Sequence, residues 1–149
     1  MNAEKQNLSL QILLENLDAL RKAKSVLVYS IQACQPQTTF TDRELESYEA
    51  LTARFARAID ILTQKVFTSI FLILAENPVS FIDKCQLAEK IGMIKNASNL
   101  IKMRGLRNEI IHEYRAKDYS GLFVTIRQYA PLLCETIDEV LEYSAKLNA

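Results

Sequence analysis

The stretch TDRELESYEALTARFARAIDILTQKVFTSIFLILA, Thr41 to Ala75, decides the fold class. Leu45, Tyr48, Leu51, Phe55, Ile59, Leu62, Val66 and Ile70 recur at steps of three or four, which gathers them on one face of an α-helix. Thr41 stands three residues before Glu44, the pattern of a capping box in which each side chain satisfies a backbone N–H of the first turn. No Gly or Pro interrupts the run, and Asn77-Pro78 ends it. One long helix is predicted over 41–75. Its most apolar part, Val66 to Ala75, is about half the ~20 residues that a bilayer span requires, and it includes Thr68 and Ser69. It reads as buried helix, and no membrane partner is expected.

Outward from this helix the same periodicity continues. Leu10, Leu13, Leu14, Leu17, Leu20, Val28 and Ile31 predict a first helix from about Leu8 to Ala33, stopped by Gln35-Pro36-Gln37. A shorter helix is predicted over Ser80 to Ile91, with Gly92 as its C-terminal cap. A fourth runs from about Asn96 to Ala116, and Lys117 to Ser120 reads as a turn. The last helix, about Leu122 to Lys146, turns Ile126, Leu133, Ile137, Val140 and Leu141 inward. Short connections between long helices favour antiparallel neighbours, so the expectation is an all-α, up-down bundle of four long helices and one shorter one. Residues 1–149 form a single domain in this reading, with no repeat and no linker.

Composition agrees. The chain is 49% hydrophobic and 24% charged, with three Gly and three Pro, too few for the turns of an all-β sandwich. Net charge is zero, so a nucleic-acid partner must be met by a local patch and not by a bulk cationic field. Cys34, Cys85 and Cys134 are odd in number and widely spaced, with no CxxC. With a single histidine, this supports neither a disulfide framework nor a zinc site. A reducing cytoplasm is the expected location, since MNAEKQNLSLQ holds no signal-like apolar run.

The chemistry concentrates in RGLRNEIIHEYR, Arg104 to Arg115, which contains the only histidine, His112. At about 100° per residue, Met103, Leu106 and Ile110 fall on the core side of the fourth helix. Asn108 and His112 share one outward flank, and Arg107 and Tyr114 share the other. Arg104, Ile111 and Arg115 lie between. A half-exposed His or Tyr commonly serves packing, and arginines commonly form a solvated face. The combination also has a chemical logic. Imidazole exchanges a proton near neutral pH. Guanidinium binds phosphate through two parallel N–H groups and offsets charge developing on it. Asn108, one turn before His112, is placed to orient the imidazole or a substrate oxygen. These are the parts of a metal-independent RNA cleavage in which the 2′-hydroxyl attacks the adjacent phosphate. That reaction wants a base and an acid, and a two-fold dimer pairing this face with its copy supplies two His112 and buries Ile111 at the seam.

The segment Arg107-Asn108-x-x-x-His112-x-Tyr114 resembles the R-x4-H-x-Y signature of the HepT-like toxins, a branch of the HEPN ribonuclease superfamily. LAEKIGMI, 87–94, followed by Arg104 to Tyr114, is similar to the C-terminal half of that family's core. RFARAID, 54–60, is similar to its polar-studded second helix. The resemblance implies a HEPN-like dimeric bundle acting on RNA, tRNA or mRNA, with no cofactor and no DNA substrate. Arg107 and His112 would be catalytic and Asn108 a helper, with Asp60 and Arg104 as possible supporting residues. It also implies a type VII-like toxin–antitoxin pair, in which an MntA-type minimal nucleotidyltransferase neutralises the toxin by transferring AMP to Tyr114. The alternative it leaves open is a non-catalytic helical binding subunit of such a nucleotidyltransferase. A plain structural helical dimer is a third.

Overall fold

The computed structural model describes residues 2–112 and 120–147, with His112 described through its backbone alone. Among these every secondary-structure element is a helix: α1 (Ala3–Ala33), α2 (Asp42–Asp60), a π-helical segment (Ile61–Val66), α3 (Phe67–Ile73), α4 (Phe81–Lys90), α5 (Ala97–His112) and α6 (Ser120–Leu147). The all-α expectation holds. The helix expected over 41–75 is present, but in three parts.

Long-range bonds fix the directions. Asn16 of α1 donates to Ser69 Oγ at 2.8 Å, and Arg54 donates to Ser30 Oγ at 2.8 Å, so α1 runs antiparallel to the α2–π–α3 rod. Lys24 pairs with Asp138, and Arg127 Nε donates to the Cys34 carbonyl at 2.7 Å, so α6 is antiparallel to α1. Near the start of α5, the Lys95 N–H donates to Glu139 Oε1 at 3.0 Å, close to the far end of α6. Helix α5 therefore packs against α2, α4 and α6.

Local chemistry explains most boundaries. Thr41 and Glu44 close the expected capping box, and the Thr41 backbone N–H holds the Glu44 carboxyl below its ordinary range. Ser80 and Asp83 form a second box at the start of α4. Gly92 adopts φ +80 after α4, the left-handed geometry that favours glycine, which lets the Met93 N–H reach back to the Ala88 carbonyl at 2.8 Å. Helix α1 begins at Ala3 instead of Leu8 because the Asn2 side chain accepts from the Lys5 N–H at 2.9 Å. Helix α6 starts at Ser120 and passes through Pro131. Residues 113–119, which carry the expected end of α5 and most of the expected turn, lie outside the described residues.

The core is continuous. Leu13, Leu17, Leu20 and Leu27 meet Phe55, Ile59, Leu62, Val66 and Ile70, and α5 and α6 add Leu100, Met103, Ile126, Leu133 and Ile137. Leu14 is an exception to the expected stripe, 42% exposed, because it sits one residue round the helix from buried Leu13. An aromatic cluster closes one end: Phe40 stacks edge-on to Tyr48 and Phe123, with centroids 4.8 and 5.8 Å away. The Tyr48 hydroxyl donates to the Gln35 carbonyl, so this buried ring keeps its polar end satisfied.

The π segment accommodates an extra residue in its turn. The Phe67 N–H bonds to the Leu62 carbonyl, five residues back. Ile61, Leu62 and Thr63 are buried in succession here, as Ser69, Ile70 and Phe71 are in α3, so the rod presents a broad face to the core. The core prediction concerns the turn before it. Phe55 is fully buried, and Phe55→Ala should lower unfolding stability by about 3–5 kcal/mol in urea titration. A loss below ~1 kcal/mol would mean that the site collapses around the cavity.

Candidate functional site

Helix α5 is anchored before it reaches the chemistry. The Asn96 side chain accepts from the Asn99 N–H at 3.0 Å, as an N-cap does, and Glu89 of α4 accepts from the Ala97 N–H at 2.7 Å. Leu100 and Met103 are fully buried, Leu106 is buried and Ile110 half-buried, so the expected core side is the observed one. Asn108 is exposed and Ile111 is 51% exposed on the outward side.

Arg107 departs from the wheel. It does not stand free on an outward flank: its side chain is only 21% exposed and turns toward α2, where Asp60 meets it. Nη2 donates to Asp60 Oδ2 at 2.9 Å. Nε lies 2.8 Å from Oδ1, but its N–H is not aimed at that oxygen, so neither atom has a hydrogen-bond partner. The pair is thus one aligned charge-assisted hydrogen bond and one close ionic contact. Nη1 points the other way, 3.4 Å from Asn108 Oδ1. Asp60 and Asn108 thus each accept one hydrogen bond from a terminal nitrogen of the guanidinium. This carboxylate is the last residue of α2, directly before the π segment.

Arg104 lies one turn earlier on α5. Its guanidinium carbon stands 4.7 Å from the centroid of Phe81, the first residue of α4, and its Nε is buried without a partner. Phe81 was not singled out in the sequence. It follows a recognisable cap, but no local pattern ties it to an arginine so far along the chain. Cys85, fully buried near Arg104, has its thiol pushed up to about 12 by burial, with the Arg104 charge acting in the opposite sense. Burial also raises Cys134, to about 11, so both thiols remain protonated at neutral pH.

The structure thus brings together Asp60, Arg107 and Asn108, with Arg104 and Ile111 on the same helix. The His112 backbone ends α5 as described, and its side chain lies outside the described residues, as do Tyr114 and Arg115. Among the described residues no three His, Cys, Asp or Glu side chains gather as metal ligands, and no helix is long and apolar enough to cross a membrane. Comparison with protein-family models, with curated proteins and with solved structures finds no match to this chain.

The Asp60–Arg107 contact makes a quantitative prediction. Both side chains are mostly shielded from water, at 31% and 21% exposure, so Asp60→Asn should destabilise the fold by about 1–3 kcal/mol. Arg107→Gln should cost a similar amount, and the double variant clearly less than the sum, because each single change strands the partner. Additive losses in thermal or urea unfolding would show that the two charges are not coupled.

Proposed function

We propose that the protein is a metal-independent endoribonuclease of the HEPN type, working as a homodimer whose two α5 faces form one cleft. The observation that carries this reading is the arginine of the R-x4-H segment oriented by Asp60, on a helix whose next exposed positions are Asn108, Glu109 and Ile111. A guanidinium fixed on one side is suited to meet a phosphate on the other, since little of its motion remains to be lost on binding.

In this mechanism the scissile phosphate lies against the Nη1–Nη2 edge of Arg107. One His112 takes the proton from the ribose 2′-hydroxyl as its oxygen forms a bond to phosphorus. The P–O5′ bond breaks, and the His112 of the partner copy protonates the departing 5′-oxygen. The products are a 2′,3′-cyclic phosphate and a 5′-hydroxyl. Arg107 offsets the charge that builds on the non-bridging oxygens. Asn108, already close to Nη1, orients the phosphate or the imidazole. Control is assigned to Tyr114, two residues past His112 in the sequence, whose hydroxyl would accept AMP from ATP with release of pyrophosphate, through a nucleotidyltransferase partner. The added phosphate would compete for Arg107.

His112→Ala should reduce cleavage of single-stranded RNA by on the order of 10²–10⁴-fold, with wild-type activity unchanged by EDTA. Full activity in a folded His112→Ala protein would falsify the catalytic assignment. Dimerisation is tested separately. Ile111→Glu should shift the sedimentation coefficient from dimer to monomer, because two carboxylates would be buried without partners at the seam. A wild-type chain that sediments as a monomer at all concentrations removes the composite site.

A further inference from the structure

Two arginines of the R-x4-H helix are described, and their surroundings differ in a way that bears on substrate binding. Arg107 is offset by Asp60, so that pair adds little net charge to the face. Arg104 faces no carboxylate among the described residues. Asp83, the acid nearest Phe81 in sequence, is turned back onto the Ser80 N–H at 3.3 Å. The Cys85 thiol beside Arg104 stays neutral, so no thiolate cancels its charge. The uncompensated positive charge on the described part of this face is therefore the one stacked on Phe81.

A bare cation on a helix surface would usually be a loosely held, solvated side chain. Arg104 is not loose. The guanidinium carbon lies over the Phe81 ring, 4.7 Å from its centroid, and Nε is closed off from solvent, which together restrain the group. It stands three positions before Arg107, about 4.5 Å along the helix axis and some 60° around it. An RNA strand placing one phosphate against the Arg107 guanidinium carries its neighbouring phosphates past the adjacent turn of α5.

We propose that Arg104, braced by Phe81, binds the phosphate of a nucleotide flanking the scissile position in single-stranded RNA. This rests on the reading of α5 as the RNA-facing surface, and it assigns affinity to Arg104 while Arg107 serves the reacting phosphate. Phe81 is a positioning residue: it acts through Arg104 and touches no RNA.

The test uses the full chain and a short oligouridylate carrying 2′-O-methyl groups, which cannot supply the attacking oxygen, so binding is read without cleavage. Fluorescence anisotropy is followed across a salt series. Arg104→Gln should weaken binding ~10-fold and reduce the slope of log affinity against log salt by about 0.7, the loss of one phosphate contact to a single strand. Arg104→Lys should restore the slope but not the full affinity, since the ammonium keeps the charge and loses the planar stack. Phe81→Leu should keep the slope and weaken binding by roughly two- to five-fold. Lys102→Gln, an exposed charge on another side of α5, should leave both unchanged. Circular dichroism melting confirms that each variant is folded. An unchanged slope in folded Arg104→Gln overturns the proposal, and so does a wild type that does not bind the oligonucleotide. Intact cleavage with an unchanged slope removes this phosphate site alone. A lowered slope in a protein that never cleaves RNA removes the catalytic reading and leaves the site standing.

Discussion

One ion pair connects the two helices that carry the candidate site. Asp60 closes α2, Arg107 lies midway along the exposed run of α5, and their contact fixes how these helices face each other at the level of the candidate site. The arrangement is asymmetric. A single aligned hydrogen bond, Nη2 to Oδ2, carries the direction, while Nε and Oδ1 approach without alignment. In a partly dehydrated place such a pair is retained more for the geometry it imposes than for net stability. What it imposes is a guanidinium held between the Asp60 carboxylate and the Asn108 side chain.

The same economy of charge runs through the whole chain. With eighteen basic and eighteen acidic residues, the protein has no long-range cationic field to attract a polyanion. Recognition by such a protein has to be built at short range, from a few groups held in place before the ligand arrives. Arg107 is held by a carboxylate and Arg104 by an aromatic ring, two different means of restraining the same functional group. A carboxylate orients strongly but cancels charge; a ring orients more weakly and leaves the charge intact. Having both within one helical turn lets one arginine be well aimed and the other remain fully cationic.

Much of this was legible in the residues themselves. Thr41 and Glu44, Gly92, and the Met103–Leu106–Ile110 stripe each carry a local rule, and each is found as that rule requires. The misses share a cause. Steps of three and four along 41–75 are equally compatible with α and π turns, so the π segment left no mark in the periodicity. The partner of Arg107 lies 47 residues away and that of Arg104 on a different helix, and pairings of that kind are made by packing, not by spacing. The wheel placed Arg107 outward because it knew the helix axis but not the carboxylate waiting beside it. The early start of α1 turned on a single side chain, Asn2, too close to the chain end for a periodic signal.

The π segment also bears on how chain length can vary. A π turn holds one more residue than the α turn it replaces, and here it sits between Asp60 and the buried Phe67, Ser69 and Ile70 of α3. A homologous chain lacking one exposed residue in this segment, such as the position of Gln64, would pass through it as unbroken α-helix with both flanking faces still directed at the core. The carboxylate and the apolar stripe would keep their places while the numbering between them changed by one. Alignments of such chains should open a single-residue gap in the middle of a continuous helix, where insertions are ordinarily least tolerated.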